Sequence, residues 1–164
     1  MRLCKRHASG VPFTKNPMAH DLEIRAGAAA DFDAVIELLS RANLPVEDLT
    51  AESVVRFLVA TINDTVAGLI GLEHFRETGL LRSLVVDPAL RRAGLGRLLV
   101  AALESQAASQ GVQELWLLTI DADTWFGELG YSTRQRDQAP DAIRQTAEFT
   151  SLCPGDAVLM VKSL

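Results

Sequence analysis

The stretch from Leu84 to Val100, LVVDPALRRAGLGRLLV, constrains the fold of this chain more than any other segment. An apolar run ends at Asp87-Pro88, a short loop carries two arginines and two glycines, and a leucine-rich segment with helical spacing follows. A short apolar run bounded by turn residues favours a buried strand, whereas apolar residues at i, i+3 and i+4 favour a helix. The stretch therefore predicts a strand, a tight arginine-glycine loop and a helix.

The remaining segments extend this pattern to a mixed α/β domain. Asn63-Asp64 is typical hairpin-turn chemistry, Asp31 is expected to cap the first helix, and Gly79 is expected to break the run before the fourth strand. We expect a flexible extension over 1–20 and one domain over 21–164. Strands are predicted over 22–26, 57–62, 66–75, 80–86, 114–120, 131–136 and 157–162. Helices are predicted from 31 to an end at Leu44-Pro45, and over 46–55, 94–108 and 122–129.

Charge and cysteine content exclude several classes of function. A net charge of −5 and a pI near 5.2 argue against a nucleic-acid-binding protein, which needs a basic surface. The two cysteines, Cys4 and Cys153, are far apart, and no cysteine or histidine spacing fits a zinc site. No apolar run is long enough for a membrane helix. We expect a cytoplasmic protein with no metal, no nucleic acid and no membrane partner.

The arginine-glycine loop has the composition of an anion site. A dinucleotide fingerprint would require a third glycine where Leu99 stands, and no Gly-Lys-Ser/Thr sequence of a nucleotide phosphate loop follows. Backbone N–H groups at a helix start bind phosphate, and glycine permits its close approach. A glycine-rich helix start without a ligand is equally compatible with these residues alone.

The same loop resembles the acetyl-CoA loop of the GNAT superfamily of N-acetyltransferases. Its residues read Arg91-Arg92-Ala93-Gly94-Leu95-Gly96, and the strand before it ends with the family's L-x-V-x-P pattern at Leu84, Val86 and Pro88. The segment LLTIDADTWFGELGY is similar to the strand and helix that follow in that family. The resemblance implies a central mixed, mostly antiparallel sheet, flanked by helices and splayed between the fourth and fifth strands.

The C-terminal tail is similar to that of the small arsenic-resistance N-acetyltransferases. Their R-x-x-x-P-x-x-I-x-x-T-x-E-F-x-x-L-C-P ending is present at Arg136, Pro140, Ile143, Thr146, Glu148, Phe149, Leu152, Cys153 and Pro154. This implies acetyl transfer to a small anionic amino-acid-like amine, such as an arsenic- or phosphorus-containing glutamate analogue. Glutamate N-acetyltransferases of arginine biosynthesis share parts of the pattern and remain an alternative. A catalytically weak acetyl-CoA-binding regulatory module is a second alternative, and a homodimer is left open.

The resemblance also implies where acetyl-CoA binds. The pantetheine arm is expected to pair with the end of the fourth strand, and the pyrophosphate to lie on backbone N–H groups of the loop, at the positive end of the helix dipole. The implied residues are Leu84, Val85, Val86, Arg91, Arg92, Ala93, Gly94, Leu95, Gly96, Arg97, Thr119 and Phe126.

Glu73 is the candidate general base, and a backbone N–H near Val85 is the candidate oxyanion donor. A solvated glutamate at a strand edge is the alternative for Glu73, and His74 is expected on the opposite face. Where many relatives carry a tyrosine that protonates the leaving thiolate, this chain has Phe126. Tyr131 occupies a position that normally serves packing.

Arg82, Ser83, Glu73 and Glu148 are the candidate substrate-binding residues. Regular alternation places Arg82, Leu84 and Val86 on one face of the strand, and Ser83 and Val85 on the other. An arginine in a buried strand is costly unless it is paired. We expect Arg82 to bind a substrate carboxylate in a bidentate manner, or to form a salt bridge with an acidic residue such as Glu73.

Overall fold

A mixed sheet of seven strands organises residues 21–164, the part of the chain that the computed structural model describes. The predicted extension over 1–20 lies outside the described residues. The strands are β1 (Leu22–Ala26), β2 (Phe57–Ile62), β3 (Thr65–Phe75), β4 (Thr78–Val86), β5 (Glu114–Thr119), β6 (Ser132–Arg134) and β7 (Val158–Ser163). The helices are α1 (Phe32–Arg41), α2 (Leu95–Ser109), α3 (Asp123–Glu128) and α4 (Asp141–Arg144), and a π-helical turn spans Glu148–Leu152.

The sheet opens between β4 and β5, as expected. Its strand order is β1-β2-β3-β4-β5-β7-β6, and every neighbouring pair is antiparallel except β4 with β5. These two strands pair only where Thr78 to Leu80 face Glu114 to Trp116. The rest of β4 has no partner on that side among the described residues, so the two strands diverge towards their carboxyl ends.

A bulge in β4 changes which side chains share a face. Gly71 faces Arg82 and Leu69 faces Val85, so the single residue between them on β3 opposes two residues of β4. Ser83, one of those two, has a φ of 57°. An extra residue in one strand shifts the alternation by one position. Arg82 therefore shares a face with Val85, and the prediction that it lies with Leu84 and Val86 is wrong.

Helix α2 covers the other face of the sheet at Gly68. A Cβ on this glycine would lie 2.9 Å from the Val85 carbonyl oxygen and 3.1 Å from the Leu99 side chain. Leu95, Leu99 and Leu103 have at most 1% of their surface exposed, so these leucines of the predicted apolar face form core. Leu98, which the leucine spacing places on the same face, is 44% exposed and does not. The close approach fixes the start of α2 beside the end of β4.

The helix predicted over 46–55 and the strand break predicted at Gly79 are both wrong. Local hydrogen bonds explain the first difference, and packing explains the second. The segment 46–55 forms turns and a 3₁₀ helix (Ser53–Arg56) instead of an α-helix. The Ser53 hydroxyl donates to the Thr50 carbonyl at 2.8 Å and accepts from its N–H at 2.8 Å, which competes with helical bonding. Gly79 does not break a strand but lies inside β4, where its missing side chain makes room for Leu72 and Leu115.

Asp31 does not cap α1 through its side chain. Its carboxylate accepts hydrogen bonds from Arg25 at 2.8 and 2.9 Å and from the Ala28 N–H at 2.8 Å. The Arg25 hydrogen bond outweighs burial and lowers the pKa of Asp31. The residue thus ties β1 to the start of α1 as a charged group.

Replacing Asp31 with Asn is expected to lower the free energy of unfolding at pH 7 by about 1–3 kcal/mol, because charge-assisted hydrogen bonds are lost. A carboxyl with a lowered pKa stabilises the fold above its unfolded-state pKa and loses that effect as pH falls through the folded value. The deficit of the variant is therefore expected to shrink in acid. Urea unfolding at several pH values measures it, with the exposed Glu37→Gln as control; a deficit independent of pH would contradict this assignment.

Candidate active site

The start of α2, beside the end of β4, presents backbone donors that find no hydrogen-bond partner among residues 21–164. Gly94 precedes the helix with a φ of 85°, and the first N–H to find a helical partner is that of Leu98, which donates to the Gly94 carbonyl at 3.2 Å. The amides of Leu95, Gly96 and Arg97 have no partner within the helix. Together with the helix dipole they form a site for an anion such as a pyrophosphate.

The unpaired edge of β4 faces the gap that opens towards β5. The Asp87 N–H donates to the Ala67 carbonyl on β3 at 2.8 Å. Because alternate residues of a strand direct their amides to the same side, the Val85 N–H also points to β3, and that of Val86 faces the gap. The backbone donor beside Val85 that faces the gap is therefore the Val86 amide, and the oxyanion role predicted for a backbone N–H near Val85 stays a prediction.

Several residues predicted to contact acetyl-CoA have buried or occupied side chains. Phe126 and Thr119 have no exposed surface. Phe126 packs edge-on against Trp125 and Tyr131, and the Thr119 hydroxyl accepts from the Ala122 N–H at 3.1 Å. Arg97 forms an ion pair with Glu128 at 2.6 Å on the surface. The backbone of the loop, more than these side chains, is thus arranged for a ligand.

Arg82 lies on the face of β4 opposite α2, surrounded by three carboxylates. Its Nη1 donates to Asp48 and, at 2.8 Å, to Glu73. Its Nη2 donates to the other oxygen of Asp48 at 3.0 Å and lies 3.1 Å from Glu148. Its Nε donates to the Ser83 hydroxyl at 3.3 Å. The predicted alternative of a salt bridge to Glu73 is thus present, and it is one of three.

The members of this group, which we call the Arg82 cluster (Asp48, Glu73, Arg82 and Glu148), differ in their access to solvent. The side chains of Asp48 and Glu73 are 28% and 24% exposed. Those of Arg82 and Glu148 are 6% and 9% exposed. The surface that the cluster presents to solvent therefore consists of carboxylates, with the guanidinium beneath them.

Burial and charge have opposite effects on the two buried members. Burial opposes the charge of Arg82, but the Asp48 hydrogen bond and the charge of Glu148 outweigh it and raise the pKa of the guanidinium. Burial raises the pKa of Glu148, and the opposing effects of Arg82 and the Cys153 thiol do not cancel it. The thiol donates to Glu148 Oε2 at 3.0 Å. Arg82 stays charged, while burial favours the neutral form of the Glu148 carboxyl.

Sequence reasoning missed Asp48, the partner that holds Arg82 with two oxygens. It lies 34 residues from Arg82, in a segment predicted to be helical, and no local pattern marks it. It also missed the contact of Cys153 with Glu148, which follows from the π-helical turn over Glu148–Leu152. The spacing of these two residues in the tail was visible, but its geometry was not.

Tyr131 is held away from acid-base chemistry. Its ring is 4% exposed and its hydroxyl donates to Glu104 of α2 at 3.0 Å. Burial, and then the charge of Glu104, raise its pKa far above the usual value. It serves packing, as its position predicts. His74 is exposed, and the β3 register places it on the face opposite Glu73.

Residues 21–164 contain no group of three or more histidine, cysteine, aspartate or glutamate side chains arranged to hold a metal ion. Nor is any helix in this range both long and apolar enough to cross a membrane.

The model of the acetyltransferase (GNAT) family matches residues 26–125. The chain belongs to this family. It is an N-acetyltransferase that uses acetyl-CoA as its cosubstrate. An uncharacterized N-acetyltransferase of Chlorobaculum tepidum is 30% identical to it over 110 residues, which are 66% of this chain and 70% of that protein. An amino-acid acetyltransferase of Pseudomonas syringae pv. tomato is 35% identical over 73 residues, which are 44% of this chain but only 17% of the relative.

Solved structures show the same fold as this GNAT acetyltransferase. N-acetylglutamate synthase from Neisseria gonorrhoeae, complexed with coenzyme A and N-acetyl-glutamate, matches with a TM-score of 0.77 at 20% identity, over 88% of this chain and 35% of that one. Rv2747 from Mycobacterium tuberculosis, in complex with CoA and NLQ, matches with a TM-score of 0.73 at 22% identity, over 87% and 99%.

We expect Gly94→Val to abolish the rise in melting temperature that acetyl-CoA gives the wild type, because a side chain there would meet the pyrophosphate. Gly111→Val is a matched control. Both glycines have a positive φ, 85° and 87°, with no atom within 4 Å of an added Cβ, but Gly111 follows the far end of α2. Both variants carry backbone strain of about 1–3 kcal/mol. A shift retained in folded Gly94→Val, or lost equally in Gly111→Val, would contradict the pyrophosphate assignment.

Proposed function

We propose that this chain transfers the acetyl group of acetyl-CoA to the primary amine of a small amino-acid-like molecule, in the cytoplasm. The observation that carries the proposal is the pair of partly exposed carboxylates, Asp48 and Glu73, on the face of β4 that also holds Val85. An amine reaches the site as an ammonium ion and must lose a proton before it attacks. Acidic side chains both attract that ion and provide a base.

The proposed reaction needs a base and an oxyanion donor. Glu73 accepts a proton from the ammonium, directly or through water, and the amine nitrogen attacks the thioester carbonyl. The C–N bond forms as the carbonyl oxygen becomes an oxyanion, which a backbone N–H beside Val85 stabilises. The C–S bond then breaks as the oxyanion returns to a carbonyl, and the attacking nitrogen releases its second proton to water to give the neutral amide. The CoA thiolate takes a proton from water because Phe126 has no hydroxyl to supply one.

The names of relatives support an amino acid as the acceptor. An amino-acid acetyltransferase matches part of the chain, and N-acetylglutamate synthase shares its fold. Glutamate is therefore one candidate. A glutamate analogue containing arsenic or a phosphinate is the other, and it rests on the resemblance of the tail around Glu148 and Cys153. Association into a homodimer stays a prediction.

A thiol-release screen with acetyl-CoA tests this proposal. Acceptors are acidic and neutral amino acids, the phosphinate and arsenic analogues of glutamate, and simple amines. We expect amine-dependent release of CoA, and mass spectrometry of the product shows which amine carries the acetyl group. A chain that binds acetyl-CoA but releases no CoA with any amine would instead support the regulatory module. That alternative rests on the buried Phe126, which stands where many relatives carry a tyrosine that protonates the thiolate.

Glu73→Gln is expected to lower kcat by about 10²- to 10⁴-fold at neutral pH, the usual contribution of a general base. Acetyl-CoA affinity should change little, and the loss should shrink at high pH as free amine accumulates. The exposed Glu77→Gln is the control for a nearby glutamate outside the cluster. If Glu73→Gln keeps wild-type kcat across the pH range, Glu73 is not the base.

A further inference from the structure

We propose that Arg82 is a positioning residue, which holds Asp48 and Glu73 in place for the substrate's ammonium group and makes no contact with a substrate carboxylate. The inference deepens the proposed function and rests on it, since it concerns the same amine. It replaces the expectation that a buried arginine facing the cleft is there to bind an anion.

The hydrogen bonds of the Arg82 guanidinium are the first observation that supports a positioning role. A guanidinium has five N–H donors and no acceptor. In the structure, Nη1 donates to Asp48 and Glu73, and Nε donates to the Ser83 hydroxyl. Nη2 donates to Asp48 and lies 3.1 Å from Glu148. Four of the five donors therefore have a hydrogen-bond acceptor within the protein, and Nη2 is also ion-paired with Glu148. A ligand carboxylate has to compete with these side chains for Arg82.

The solvent exposure and net charge of the Arg82 cluster are the second observation that supports this role. The guanidinium and Glu148 are less than a tenth exposed, whereas about a quarter of the Asp48 and Glu73 side chains reaches solvent. Three carboxylates against one guanidinium leave a net charge of −2 when all are ionised, and −1 when Glu148 is protonated. In both states the cluster attracts a cation and repels an anion.

The anchoring of Arg82 explains how it positions the acids. Its partners come from β3, from the segment after α1, from the π-helical turn and from the bulge of β4 itself. The Ser83 contact places the guanidinium at the bulge, directly before the backbone that faces the gap. Asp48 and Glu73 are thereby held at a set distance from the backbone on which we place the thioester.

Selection by the ammonium predicts a specific pattern of mutant kinetics. The matched substrates are the best amino acid of the thiol-release screen and its carboxamide, which keeps the amine but removes the carboxylate charge. Arg82→Lys keeps the positive charge but cannot hold Asp48 with two prongs. We expect it to lower kcat/KM for both substrates by a similar factor, about 10- to 100-fold, because both depend on the same acids.

Asp48→Asn distinguishes the two roles of Arg82 without removing the guanidinium. If Arg82 only positions the acids, losing the Asp48 charge lowers kcat/KM for both substrates. If Arg82 binds a substrate carboxylate, Asp48→Asn weakens the Asp48 side chain's competition for the guanidinium. The variant then raises kcat/KM for the acid relative to the amide. Arg25→Lys is the control for loss of a two-pronged pair outside the site, since Arg25 holds Asp31 at 2.8 and 2.9 Å.

The outcomes separate this inference from the proposed function. Equal losses for acid and amide, with folding verified by circular dichroism and by the acetyl-CoA thermal shift, support the positioning role. A loss in Arg82→Lys at least tenfold larger for the acid overturns it while leaving amine acetylation intact. So does a relative gain for the acid in Asp48→Asn of at least tenfold that persists at high salt, where relief of charge repulsion is screened. Wild type that acetylates no amine overturns both. If Arg82→Lys does not fold, Asp48→Asn alone decides.

Discussion

Much of this structure depends on burying one guanidinium inside a cleft. An isolated charge at such a position costs several kcal/mol, so Arg82 requires partners that are themselves charged and well placed. It obtains them from three separate parts of the chain: Asp48 from the segment after α1, Glu73 from β3 and Glu148 from the tail. The cleft therefore forms only when β3, β4 and the tail are all in place. The excess of carboxylates that results is the property on which the proposed chemistry depends.

The bulge in β4 brings this charged group and the cosubstrate site together. Without the extra residue, Arg82 would lie on the α2 face with Leu84 and Val86, where Leu95 and Leu99 pack. With it, the side chain turns to the other face while the backbone beyond Ser83 continues to the loop at the start of α2. One irregular residue thus aligns the acids on one side of β4 with the unpaired amides at its end.

Periodicity and turn chemistry predicted most of the fold. The hairpin at Asn63-Asp64 is present, with φ values of 49° and 61°, and the arginine-glycine loop leads from β4 into α2 as expected. Local patterns failed where the outcome depends on distant contacts. No sequence pattern near Ser83 indicates a bulge, and none near Asp48 indicates its contact with Arg82, 34 residues away. The residue types of the site were therefore predictable, but the face on which Arg82 lies and its pairing with Asp48 were not.

The most direct test is a crystal structure with CoA and the N-acetylated product of the best amine. We expect the pyrophosphate on the amides between Gly94 and Arg97. We expect the product amide nitrogen within about 3 Å of the Glu73 or Asp48 carboxylate, or one water away from it. All three carboxylates should remain on Arg82. A product carboxylate bound to the guanidinium, with Asp48, Glu73 or Glu148 displaced, would contradict the positioning role of Arg82.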